Sequence, residues 1–173
     1  MAMATATLCV RAAGRCFSSR SRARALSTSI STSISRNAGI FFDADNVSPR
    51  QYERIIAEVA AAGHKPTVMR AYRDCRERGW ADACERLGIE AVHVPSIPRK
   101  NSSDLYMTCD MMDMRDLLDT FVVVSNDSDF RHVLAFLRKR GKRTVAVTVN
   151  GASSRLAPWA DRHLDLVTKE KIR

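Results

Sequence analysis

Phe121-Val122-Val123-Val124-Ser125-Asn126-Asp127-Ser128-Asp129 is the stretch on which the reading of this chain turns. A run of Phe and Val suits a buried strand, because β-branched and aromatic side chains pack well on a pleated surface. The run stops at Ser125, and carboxylates follow at alternate positions, Asp127 and Asp129. An earlier stretch has the same plan. Gly39-Ile40-Phe41-Phe42 reads as a buried strand and breaks at Asp43-Ala44-Asp45-Asn46.

Helical patterns lie between and around these strands. Ser48-Pro49-Arg50-Gln51 is a helix start, with Ser as cap, Pro at the first helical position and Gln three residues after the cap. Tyr52, Ile55, Ile56, Val59 and Ala60 then recur at helical spacing, and Gly63 ends the helix. Further strands are predicted at Thr67–Tyr72, Ile89–Val94, Thr144–Val149 and Leu164–Val167. A helix is expected over Gly79–Leu87, and a second from Asp104 to about Arg115, capped by Ser103 after a loop at Pro95–Ser102. Phe130, Val133, Leu134 and Leu137 form one helical face closed by Gly141, and a short helix falls near Leu156–Ala160. Alternating strands and helices imply βαβ units. The expected fold is α/β, a Rossmann-like three-layer αβα sandwich with a mainly parallel central sheet of about five to six strands.

In such sheets ligands bind beyond the carboxyl ends of the strands. Both strands that end in Asp pairs therefore present their carboxylates where ligands bind. Gathering carboxylates is electrostatically costly. A hard divalent cation offsets that cost, and oxygen-only sites suit Mg²⁺ or Mn²⁺. Two such ions about 3.5–4 Å apart can clamp the attacking and leaving oxygens of a phosphodiester. Asp104, opening a helix after a Pro-rich loop, is a third contribution, favoured there by the helix dipole. Lys100 lies four residues before it. Each of these residues alone has an ordinary explanation: a cap for Asp127 or Asp129, a turn for Asp45 or Asn46, a first-turn acid for Asp104. Their convergence on one predicted edge favours a metal site. Asp110, Asp113, Asp116 and Asp119 read as solvated, with Asp110 within reach as a supporting group.

These residues resemble the NYN domain family, LabA-like members included, within the PIN-like nucleases. The matching pieces are Phe41-Phe42-Asp43-Ala44-Asp45-Asn46-Val47, Lys100-Asn101-Ser102-Ser103-Asp104, Val123-Val124-Ser125-Asn126-Asp127-Ser128-Asp129-Phe130 and Gly141-Lys142, within Ala38–Thr168. The resemblance implies a PIN-like fold with Asp43, Asp104, Asp127 and Asp129 as catalytic residues around Mg²⁺ or Mn²⁺. Asp45, Asn46, Ser125, Asn126 and Asp110 would support them. It implies hydrolysis of RNA, single-stranded or structured; on that reading Arg99, Lys100, Arg138, Lys142 and Arg143 are candidates to hold the phosphate backbone, while basic residues over Arg138–Arg143 equally fit as complements to the dipole of the preceding helix. PIN-like domains often dimerise, so a homodimer is one expectation. The family often has Gly where this chain has Asn126. Asn tolerates the left-handed conformation best among other residues, so the turn is expected to survive.

Residues 1–37 hold six Arg, no Lys and no acid, and Ser and Thr crowd the same stretch. That is the composition of an organellar transit peptide. Arg15-Cys16-Phe17-Ser18 favours a mitochondrial matrix destination, with plastid as the alternative. The expected domains are therefore a disordered presequence over 1–37 and a nuclease domain over 38–173. Of the formal charge of +9, this segment supplies +6, leaving about +3 for the rest, so nucleic-acid affinity there must come from local patches. The five Cys show no zinc-ligand spacing, and no apolar run is long enough to cross a membrane. Two rivals remain. Asp43-Ala44-Asp45-Asn46-Val47 also fits the opening of haloacid-dehalogenase-type phosphatases, but the later acids come in the wrong order for that chemistry. A PIN-like module that binds RNA or protein without turnover is the other.

Overall fold

A computed structural model describes residues 37–74, 76, 79–95, 102–150 and 155–167. Six strands form one sheet: β1 (Asn37–Asp43), β2 (Lys65–Arg73), β3 (Glu90–His93), β4 (Thr120–Val124), β5 (Arg143–Val149) and β6 (Arg162–Leu166). Their order is β3-β2-β1-β4-β5-β6, and every neighbouring pair is parallel. Four α-helices accompany them: α1 (Tyr52–Ala61), α2 (Trp80–Arg86), α3 (Ser102–Asp113) and α4 (Arg131–Lys139). The α/β sandwich expected from the sequence is thus present, with all strands parallel.

Alternate residues of each strand feed opposite layers. Ile40, Phe42, Val122, Val124, Val145 and Val147 pack with Tyr52, Ile55 and Val59 of α1 and Trp80 and Cys84 of α2. Phe41, Phe121, Val123 and Ala146 pack with Met107 and Met111 of α3 and Val133, Leu134 and Leu137 of α4. Each fully buried Val, Leu, Ile, Phe or Met among them contributes about 1.5–3 kcal/mol. Gly39 is demanded by this packing: a Cβ there would stand 2.5 Å from Leu118 Cδ1.

The strand order decides where a ligand can sit. From β1 the chain builds outward through β2 to β3, and from β4 outward through β5 to β6. The direction reverses between β1 and β4, which is the switch point where open α/β sheets leave a crevice. Both Asp pairs follow those two strands.

Element boundaries differ from the sequence reading in instructive ways. Ser48 precedes a 3-10 turn, Pro49–Gln51, and its hydroxyl makes no capping bond. Ser103 lies inside α3, which begins at Ser102, so it does not cap that helix. The short helix near Leu156–Ala160 is a single 3-10 turn, Ala157–Trp159. Gly63 and Gly141 do end their helices, at φ 86° and 74°. Residues 1–36 of the predicted presequence, Cys75 and residues 96–101 of the Pro-rich loop lie outside the described residues, whereas Asn37 opens β1.

Candidate active site

Asp43 is the last residue of β1 and is buried. With β2 and β4 on either side, its carboxyl sits at the centre of the sheet's carboxyl edge. Ser125, the first residue beyond β4, is also buried and donates its hydroxyl to Asp43 Oδ2 at 2.6 Å. Asn46 Nδ2 donates to the same oxygen at 2.6 Å. The turn that brings Asn46 back is closed by its own N–H and that of Val47 on the Asp43 carbonyl, at 3.2 and 2.9 Å. Asp43 Oδ1 is buried with no hydrogen-bond partner among the described residues. An unsatisfied buried oxygen costs about 1–3 kcal/mol. Burial raises the Asp43 pKa against the lowering effect of the Ser125 and Asn46 hydrogen bonds, and the Asp45 charge adds to the rise.

Asp104 lies in the first turn of α3. Its pKa is pushed up to about 7, first by burial and then by the charges of Asp43, Asp127, Asp129 and Asp45. The carboxylates picked out in the sequence therefore share one electrostatic field, although they come from three separate segments. Ser103 explains how α3 is aimed at this edge. Its hydroxyl donates to Asp45 Oδ2 at 2.7 Å, tying the helix start to the turn after β1. Asp45 Oδ1 lies 3.4 Å from Arg73 Nε at the end of β2.

Beyond β4, the Ser125 hydroxyl also accepts the Asp127 N–H at 2.9 Å, so one hydroxyl positions both segments. Asp127 Oδ1 accepts the Asp129 N–H at 2.8 Å and caps the 3-10 turn Ser128–Phe130. Capping and cluster membership coexist, because the cap occupies one oxygen. Asp129 is exposed and lies 3.8 Å from Arg131 Nη1. Asn126 departs from expectation. Asn150, at φ 63°, is the non-glycine residue with positive φ among the described residues. Asn126 instead uses its side-chain oxygen to accept the Val149 N–H at 2.9 Å, tying the end of β4 to the end of β5.

Other expected residues fall elsewhere. Asp110 Oδ2 accepts from the Tyr72 hydroxyl at 2.8 Å and from Arg70 Nη1 at 2.9 Å. It fastens α3 to β2, about 9 Å along the helix from Asp104 at 1.5 Å per residue. Arg138, Lys142 and Arg143 are not brought to the acidic edge. Arg143 opens β5 and pairs with Thr120, the first residue of β4. A strand the length of β4 spans roughly 17 Å, so these cations stand at the opposite edge from the aspartates. Arg99 and Lys100 lie outside the described residues.

Sequence reasoning missed Arg73 and Asp74, and gave Ser103 the role of a cap. Asp74 follows β2 directly, is buried, and accepts from the Arg76 N–H at 3.0 Å. It marks the same edge as Asp43. The signal was an acid directly after a strand, hidden because β2 runs one residue beyond the predicted strand.

Among the described residues, no three His, Cys, Asp or Glu side chains stand close enough to close around one ion. No described helix is long and apolar enough to cross a membrane. The fold is similar to the crystal structure of a protein of unknown function from Vibrio parahaemolyticus, with a TM-score of 0.60 and 23% identity, covering 76% of this chain and 93% of that one. No curated protein matches the chain. The NYN domain profile matches residues 37–167. That span takes in the whole sheet and every carboxylate of the edge described above. From β1 to β6, this chain belongs to the NYN domain family, a family of PIN-like nucleases.

Proposed function

We propose that the protein is a metal-dependent ribonuclease that hydrolyses RNA phosphodiester bonds at the carboxyl edge of its sheet, in organellar RNA processing or turnover. The observation that carries this reading is Asp43: a buried carboxylate with one oxygen held twice and the other without a donor. The residues fit a hard divalent cation. They offer carboxylate oxygens, one of them orphaned in a buried position, and the carboxyl of Asp104 resists ionisation first because it is partly buried and then because its neighbours are also negative. Asp43, Asp104, Asp127 and Asp129 would hold Mg²⁺ or Mn²⁺. The ion would supply Lewis-acid stabilisation of the charge that develops on the scissile phosphate.

The chain's own groups divide the remaining work. Ser125 and Asn46 fix the Asp43 carboxylate and leave Oδ1 for the site. Asp127 keeps one oxygen on its cap and has the other to offer. Asp129 is exposed, which suits it to orient the attacking water or accept its proton. Asp45 is bound to Ser103 and Arg73, and so supports the edge rather than the reaction. A non-catalytic RNA- or protein-binding module is the second reading, favoured by one observation: among the described residues no acid trio is closed as it stands.

The test is RNA cleavage by the full chain with Mn²⁺, Mg²⁺ or EDTA, beside Asp127→Asn. Metal-dependent cutting by the wild type, reduced at least 100-fold in Asp127→Asn, is the expected result, about 2.7 kcal/mol of lost transition-state stabilisation. Absence of cutting by folded, metal-loaded protein on varied RNAs would transfer the reading to the binding module.

A further inference from the structure

The amino edge of the sheet carries an open groove of about 950 Å³, lined among others by Arg138, Lys139, Lys142, Arg143, Trp159 and Arg162. Asp161 is the acid of its lining. That carboxylate is already committed. Its Oδ1 pairs with Arg138 Nε at 3.0 Å, and its Oδ2 accepts from the Thr144 N–H and hydroxyl at 2.9 and 3.1 Å. Lys139, Lys142, Arg143 and Arg162 have no ion pair among the described residues. The helix dipole accounts for basic residues in the last turn of α4, Arg138 and Lys139. It does not account for Lys142, Arg143 and Arg162, which lie outside any helix. Trp159, 42% exposed, offers an indole on the same groove.

Unpaired cations beside an exposed aromatic ring are the recognition chemistry of single-stranded nucleic acid: phosphates meet the cations and a base stacks on the ring. We infer that this groove is a second RNA-binding surface, which holds a single-stranded segment of the substrate away from the acidic edge. The choice of RNA as ligand rests on the proposed ribonuclease reading, whereas the groove itself involves none of Asp43, Asp104, Asp127 and Asp129. The arrangement also resolves an electrostatic difficulty. Without bound cations the acidic edge repels a polyanion, and the basic edge supplies attraction roughly 17 Å away across the sheet.

The test is binding of a short single-stranded oligoadenylate to the full chain in EDTA, where nothing is cut. Trp80 is buried, so quenching of tryptophan emission reports Trp159. Wild type should bind with quenching. Lys142→Ala/Arg143→Ala should weaken binding about tenfold or more at low salt. It should also flatten the slope of log affinity against log salt by about 1.4, at roughly 0.7 per phosphate contact on a single strand. Trp159→Ala should abolish the quenching and weaken binding at least about fivefold. Circular dichroism checks that each variant is folded. Unchanged affinity and salt slope in the double variant, with no quenching in the wild type, would overturn the proposal. Equal affinity and quenching with AMP alone would overturn it in favour of a mononucleotide site. The two readings fail separately: groove binding without metal-dependent cleavage removes the ribonuclease, and cleavage indifferent to the groove variants removes the groove.

Discussion

Ser125 illustrates how much one side chain does at this edge. Its hydroxyl donates to Asp43 and accepts from the Asp127 backbone, so the ends of β1 and β4 are registered through a single oxygen. Ser125→Ala leaves a buried carboxylate with one donor fewer and an N–H without its acceptor. The expected loss is about 1–3 kcal/mol of stability, measured by urea unfolding, and a 10–100-fold weaker response of cleavage to Mn²⁺. Unchanged Mn²⁺ dependence would make Ser125 a packing residue only. Asp104 gives a prediction in pH. Its folded pKa, about 7, lies above the ordinary 3.8, so the folded state holds the proton more tightly than the unfolded chain. Stability of the metal-free protein should therefore fall as pH rises from about 4 to about 7 and level off above that. Asp104→Asn should remove its share of this loss and leave the part that the raised Asp43 pKa contributes. Urea midpoints in EDTA at pH 5 and pH 8 decide it: an equal drop in wild type and variant would assign the loss to other groups.

The elements explain which parts of the fold were legible beforehand. Continuous apolar runs such as Phe121–Val124 could be read because a strand covered on both faces needs no polar alternation. Gly63 and Gly141 were legible as helix ends because the chain there requires positive φ. Ser103 was misread because a Ser before an amphipathic stretch is the usual mark of a cap. Its hydroxyl turns instead to Asp45, a residue 58 positions away, and no local rule reports such a contact. Asn126 is similar. A substitution for Gly suggested backbone strain, while the side chain is used as an acceptor across to β5. The acids of the candidate site could be chosen because strands ending in Asp point to the carboxyl edge. The basic residues could not be placed, because a cation in a loop says nothing about which edge the loop closes.

At the scale of the whole molecule the charge is partitioned. Among the described residues the candidate-site carboxylates gather at one end of the strands and Lys and Arg without an ion pair at the other, while residues 1–37 carry six Arg and no acid. The family match begins at residue 37, where the first strand also begins. The Arg-rich segment precedes the span that the family match covers, so the match does not account for its composition. A nucleic-acid-binding tail would concentrate its charge, whereas here Ser, Thr and Ala dilute it. A segment without acids, drawn by a potential that is negative inside, is suited to import into the mitochondrial matrix. Residues 1–37 fused to a fluorescent protein should therefore reach mitochondria. Replacing the six Arg by Gln should leave the fusion diffuse, since the driving interaction is electrostatic. Accumulation in plastids would keep the presequence and change its destination. A diffuse signal from the unaltered fusion would remove the presequence and with it the organellar setting, while the chemistry at Asp43 would stand or fall by cleavage alone.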